Sequence, residues 1–180
     1  MPTERTISQV TKYWASYLGC PVEALFASSL HIVTHGPALA DYRGVFALFR
    51  GSAAIVSIPA ERVETFRASL TAQPISPATV ADAFRAQSSA VIGPAYIGYA
   101  EVVPLPLHAA RSLTRDNSAA VTALQAACDD LEWEHGGTAL DESPASGVFL
   151  GGQLVTLAGY DVWGRTIAHI SVITHPEFRG

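Results

Sequence analysis

The stretch from residue 147 to residue 174 constrains the fold more than any other. It holds three runs of β-forming residues separated by two short glycine-containing turns. Residues 147–150 and 153–160 are joined by Gly151-Gly152. Such a two-residue link closes a tight hairpin, because glycine enters the positive-φ region without strain. Residues 165–174 follow the turn at Trp163-Gly164. Parallel neighbours need a crossover of about a dozen residues or more, so links this short predict an antiparallel meander.

The region before the meander predicts a helix. Asp116, Asn117 or Ser118 caps it, and Val121, Leu124, Ala127, Cys128 and Leu131 recur on one side. A polar loop over 134–146, with Gly136-Gly137 and Pro144, then leads into the first strand.

The first half mixes helix and hairpin in a different order. Ile7, Val10, Tyr13, Trp14, Tyr17 and Leu18 recur at three- and four-residue steps and predict an amphipathic helix. Gly19 follows as its C-terminal cap and Pro21 blocks continuation. Residues 30–34 read as a short strand, and 44–49 with 53–58 as a hairpin around Gly51-Ser52. Val63, Phe66 and Leu70 mark one face of a second helix, and Ser76-Pro77 opens a third that reaches about Gln87. Residues 90–103, with Tyr96, Ile97 and Tyr99, read as one or two strands interrupted at Gly93-Pro94. Pro104 and Pro106 end that run, which divides the chain into an N-terminal α/β segment over 1–103 and a second region over 104–180. The fold class expected is α/β, more closely α+β: a mixed, mainly antiparallel sheet with flanking helices.

Composition narrows the partners. Hydrophobic residues make up 49% of the 180 and charged residues 15%, enough apolar side chain to build a core. The formal charge of -5 argues against nucleic acid and anionic membrane as partners, since both select a basic surface. No apolar run approaches the ~18–20 residues of a membrane span, and Thr3-Glu4-Arg5-Thr6 stands where a secretory leader would be apolar. A cytoplasmic protein with Cys20 and Cys128 reduced is the expectation.

The chain closes with His169-Ile170-Ser171-Val172-Ile173-Thr174-His175-Pro176-Glu177-Phe178-Arg179-Gly180. This resembles the fourth strand and the start of the acetyl-CoA loop in the GNAT superfamily of N-acetyltransferases, where a strand ends in V-x-P-x-x-[RQ]-G-x-[GA]. The preceding helix, hairpin and strand come in that family's order, so the resemblance covers about residues 95–180; the first ~95 residues carry none of its signatures. It implies an acetyl-CoA-dependent N-acetyltransferase, with acetyl-CoA as co-substrate and a small-molecule or peptide amine as acceptor. Val172 and Thr174 would offer main-chain groups to the cofactor, and Arg179 and Gly180 would open the pyrophosphate loop. Anions suit such a loop because successive N–H groups converge on them, and glycine permits close approach. The family's second loop glycine, the helix after it and its later strands have no counterpart here. By the resemblance, the chain is then a piece of a longer enzyme, a shortened relative, or one half completed by another chain. The alternative is a non-catalytic relative that serves as a binding or assembly module. In the family the fourth strand borders a fifth; here its outer edge carries no Lys or carboxylate to blunt it, so a homodimer or a second chain covering it is expected.

Several side chains have both a chemical and a plain reading. Glu134 is the candidate catalytic base that takes the amine proton, or a solvated loop carboxylate. Trp133 is a packing residue or a substrate wall. Asp161 could hold a cationic amine or simply form a turn. His169 points into the core or toward substrate. His31 and His35 stand four apart in a strand-like segment, where that spacing does not bring ligands together, and metal binding is not expected.

Overall fold

The computed structural model describes residues 2–70, 75–86, 91, 93, 95–102, 109–141 and 143–180. The chain divides into two compact units, Met1–Glu101 and Val102–Gly180. Both mix helix and sheet, which makes the protein α+β with mostly antiparallel strands.

In the first unit, helix α1 (Glu4–Leu18) is capped by the Thr3 side chain and stopped by Gly19 at φ 72°. That glycine also meets the backbone of Gly36, where a Cβ on either residue would come within 2.6 Å of the other's Cα. Strands β1 (Leu30–Thr34), β2 (Phe46–Arg50) and β3 (Ala53–Ile58) form a sheet of order β1-β3-β2, with β1 parallel and β2 antiparallel to β3. The hairpin between β2 and β3 turns at Gly51, φ 59°. Helices α2 (Val63–Leu70) and α3 (Pro77–Arg85) pack Phe66, Leu70 and Val80 onto Val56 and Ile58. Helix α3 begins, as Ser76-Pro77 predicts, with a capping box to Thr79. Gln87 lies outside the described residues.

Residues 95–102 are not strand, contrary to the reading of 90–103 as one or two strands. Apolar and aromatic content supplied that reading, but a strand requires a neighbour with free main-chain groups. This segment is instead pinned to α1 by side chains. Trp14 Nε1 donates to Tyr99 Oη at 2.6 Å. Thr3 N donates to Glu101 Oε1 at 3.0 Å, and the Thr3 and Thr6 hydroxyls donate to the same carboxylate.

In the second unit, strands β4 (Ala110–Ser112), β5 (Ala145–Leu150), β6 (Gln153–Trp163) and β7 (Ile167–Thr174) form an antiparallel sheet in that order. The meander forms at the expected turns; β4 was not foreseen, being three exposed residues with no alternation to read. Helices α4 (Ser118–Ala127) and α5 (Asp130–Gly136) lie between β4 and β5 in the chain. The core joins Val121 and Leu124 of α4 to Leu113, Ala145, Leu154, Leu157 and Ile173.

The single helix expected to run through Leu131 is two. Cys128 leaves helical geometry at φ -97°, ψ 159°. Asp129 then restarts the chain with a capping box, accepting from Leu131 N while Glu132 reaches back to Asp129 N. Leu131 is therefore 60% exposed rather than in the core, and Glu134 sits on α5 instead of in a loop.

Candidate functional site

Strand β7 occupies the end of its sheet, paired with β6 on one side; among the described residues no strand pairs with its other side. Its register defines which main-chain groups are left over. His175 N donates to Val155 O at 2.8 Å, and the pairing continues as Thr174 with Thr156 and Ile173 with Leu157. An antiparallel ladder bonds across at every second position. His169, Ser171, Ile173 and His175 therefore turn their main chain toward β6, while Ala168, Ile170, Val172 and Thr174 turn theirs to the open edge. An independent contact agrees: Arg179 Nε donates to Thr174 O at 2.8 Å, so that carbonyl faces away from β6.

The side chains alternate as well. Ile173 is buried in the core, and Ser171 Oγ lies 2.7 Å from Thr138 Oγ1. The opposite face of the sheet carries Val162, Ile170 and Val172, 59%, 57% and 55% exposed.

Helix α5 rests directly on β7. A Cβ on Gly136 would stand 2.9 Å from the Val172 carbonyl oxygen and 3.4 Å from Ile173 Cβ, so only glycine lets the helix end settle there. The chain then runs through Gly137 to Thr138 and its contact with Ser171. Between this run and the ends of β6 and β7 opens a cleft of about 340 Å³, whose lining includes Glu134, His135, Thr138, Asp161, His169 and Ser171. Asp161 and His169 are direct cross-strand partners, and the His169 ring stacks on Trp163 at 4.0 Å between centroids. Two carboxylates, two imidazoles and hydroxyls suit a polar or cationic guest that can lose a proton.

The exit from β7 is ordered. His175 is buried, its Nδ1 accepts from Glu177 N at 3.2 Å, and residues Pro176–Phe178 form one 3-10 turn. Arg179 closes it. Its guanidinium meets Glu132 through two bonds, Nη1 to Oε1 at 2.6 Å and Nη2 to Oε2 at 2.9 Å. Bonding to Arg179 holds the Glu132 carboxyl below its ordinary range. Gly180 stands in open space.

The residues singled out in the sequence thus fall into three places. Val172 and Thr174 lie on the open edge, Glu134 on the cleft, and Arg179 with Gly180 at the strand exit. Asp161 and His169, each with two sequence readings, line the same cleft as Glu134. Thr138 and Ser171 were missed. Period-2 alternation with buried Ile173 puts Ser171 and His169 on the helix-facing side of the strand, which was the available signal; nothing local marks Thr138.

His35 is spent inside the first unit, where Nε2 donates to Gly44 O at 3.0 Å and Nδ1 accepts from the fully buried Ser57 hydroxyl at 2.8 Å. Among the described residues no helix is long and apolar enough to cross a membrane. Comparison with family models, with curated proteins and with solved structures finds no match.

Proposed function

We propose that the second unit is an acetyl-CoA-dependent N-acetyltransferase unit of the GNAT kind, with the thioester cofactor laid along the open edge of β7 and a primary amine in the adjoining cleft. The observation that carries the reading is the main chain of Val172 and Thr174 turned to an edge that no described strand occupies. The Thr174 carbonyl is taken by Arg179, so it is the outward N–H groups that can bond a pantetheine arm, and such an N–H can stabilise the oxyanion of an attacked thioester. The Glu134 carboxylate on the cleft supports proton removal from the amine. The neutral amine attacks the thioester carbonyl carbon, the tetrahedral oxyanion collapses, the C–S bond breaks, and CoA leaves as thiolate. The amine proton passes to Glu134 and no acyl-enzyme forms. A second chain, in the simplest case another copy, adds to the same edge near Ala168 and Ile170, where no charged side chain opposes pairing.

Calorimetric titration of the 180-residue chain with acetyl-CoA tests the reading. Saturable one-to-one binding is the expected result. Absence of heat at millimolar cofactor, with the chain folded, overturns it in favour of a non-catalytic binding or assembly module. Static light scattering tests the second chain: a monomer at all concentrations removes it.

A further inference from the structure

The Glu132–Arg179 pair ties the start of α5 to the exit from β7. We propose that Glu132 is a positioning residue for anion binding at that exit: it clamps Arg179, and the clamp sets where the Gly180 amide is offered to the cofactor's pyrophosphate. This rests on the acetyl-CoA reading above. The geometry is specific. Arg179 gives both ends of its fork to Glu132 and its Nε to the Thr174 carbonyl. One side chain therefore fixes the last carbonyl of the strand, the turn after it and the helix beside it. A planar guanidinium holds three such bonds in one plane, which a lysine ammonium cannot. Helix α5 is fastened to β7 at its other end too, through Gly136 on the Val172–Ile173 peptide. Arg179 is consequently not a side-chain phosphate ligand; its charge is paired within the protein and its contribution to the cofactor is the path of the main chain.

The test uses the full chain, the Glu132→Gln variant and two probes, acetyl-CoA and S-acetylpantetheine, which lacks the pyrophosphate. Glutamine keeps an acceptor for Asp129 N but loses the charge that pairs the fork. The pair is about two-fifths exposed, so a loss of about three- to tenfold in acetyl-CoA affinity is expected. By amide NMR at saturating acetyl-CoA, the variant should retain the shifts of Val172 and Thr174 and lose that of Gly180, and its response to S-acetylpantetheine should match the parent's. Equal affinity and an unchanged Gly180 shift in the variant overturn the clamp alone. Parallel weakening at Val172, Thr174 and Gly180, with S-acetylpantetheine weakened as much, also overturns it, since that is what general loosening of the fold would do. A parent chain that binds neither probe overturns the acetyl-CoA reading and the clamp with it.

Discussion

The two sheets use strands of similar composition to opposite ends. In the first unit β3 lies between two partners, and Ala54, Ile55, Val56, Ser57 and Ile58 are fully buried. Its one side-chain hydroxyl, on Ser57, is taken up by the His35 ring. In the second unit β7 pairs with β6 alone among the described strands, buries one large side chain in Ile173, and has an outer edge that no described strand bonds, with the Thr174 carbonyl taken by Arg179 and the Val172 carbonyl lying against Gly136. The lesson concerns valence. A strand bonded on both sides contributes to stability and has nothing left to offer, whereas a strand bonded on one side keeps outward main-chain groups that its own chain, a ligand or a second chain can take.

The sharpest way to break this contrast is to place proline in each strand. Val56→Pro removes an N–H from a strand hydrogen-bonded on both sides, and should unfold the first unit, seen as loss of amide-exchange protection in β1–β3. Val172→Pro removes an N–H that β6 does not use, so the meander should keep its protection while acetyl-CoA affinity falls about two- to tenfold, the weight of one neutral hydrogen bond. Collapse of the meander in the second variant would refute the assignment of the outward edge.

Core truncation comes next. Phe66→Ala should cost about 3–5 kcal/mol and Leu157→Ala about 2–5 kcal/mol in urea unfolding, since both side chains are fully buried. Each should act on its own unit, read by exchange protection in the other.

Smaller effects separate a fully buried hydroxyl from a part-buried pair. Ser57→Ala leaves the His35 Nδ1 acceptor without its donor and should cost about 1–3 kcal/mol. Ser171→Ala, whose partner Thr138 borders an open cleft, should cost about 1 kcal/mol or less.

The smallest effect is on pH. Hydrogen bonds from Thr3 and Thr6 hold the Glu101 carboxyl below its ordinary value of 4.5. A carboxyl depressed in the folded state contributes stability above its unfolded value, and the contribution is lost as pH falls through the folded one. The urea midpoint of the parent chain should therefore decline as pH drops below about 4.5. Glu101→Gln should show a shallower decline. Identical slopes would show that the strap over α1 does not depend on that charge.

Much of the fold is legible without coordinates because it is written in local chemistry. Gly19 ends α1, Ser76-Pro77 opens α3, and Gly151-Gly152 closes the meander, each through backbone preferences that act within a few residues. The break at Cys128 was equally local, in the Asp129-to-Glu132 capping box, but the hydrophobic repeat through Leu131 masked it. Residues 95–102 failed for the opposite reason. Their aromatic content suits a strand, yet what decides a strand is a partner, and here Trp14 and Thr3 provided side-chain bonds instead.

The sequence by itself determined the three helices of the first unit, the order of the meander and the polar identity of the residues on β7, since these follow from side-chain periodicity and turn chemistry. Only the tertiary structure decided that Glu134, Asp161 and His169 share one cleft and that Arg179 turns inward to Glu132. The physical reason is distance along the chain. Glu132 and Arg179 are brought together by the packing of α5 on β7, and no short-range preference encodes a contact that depends on two elements folding first.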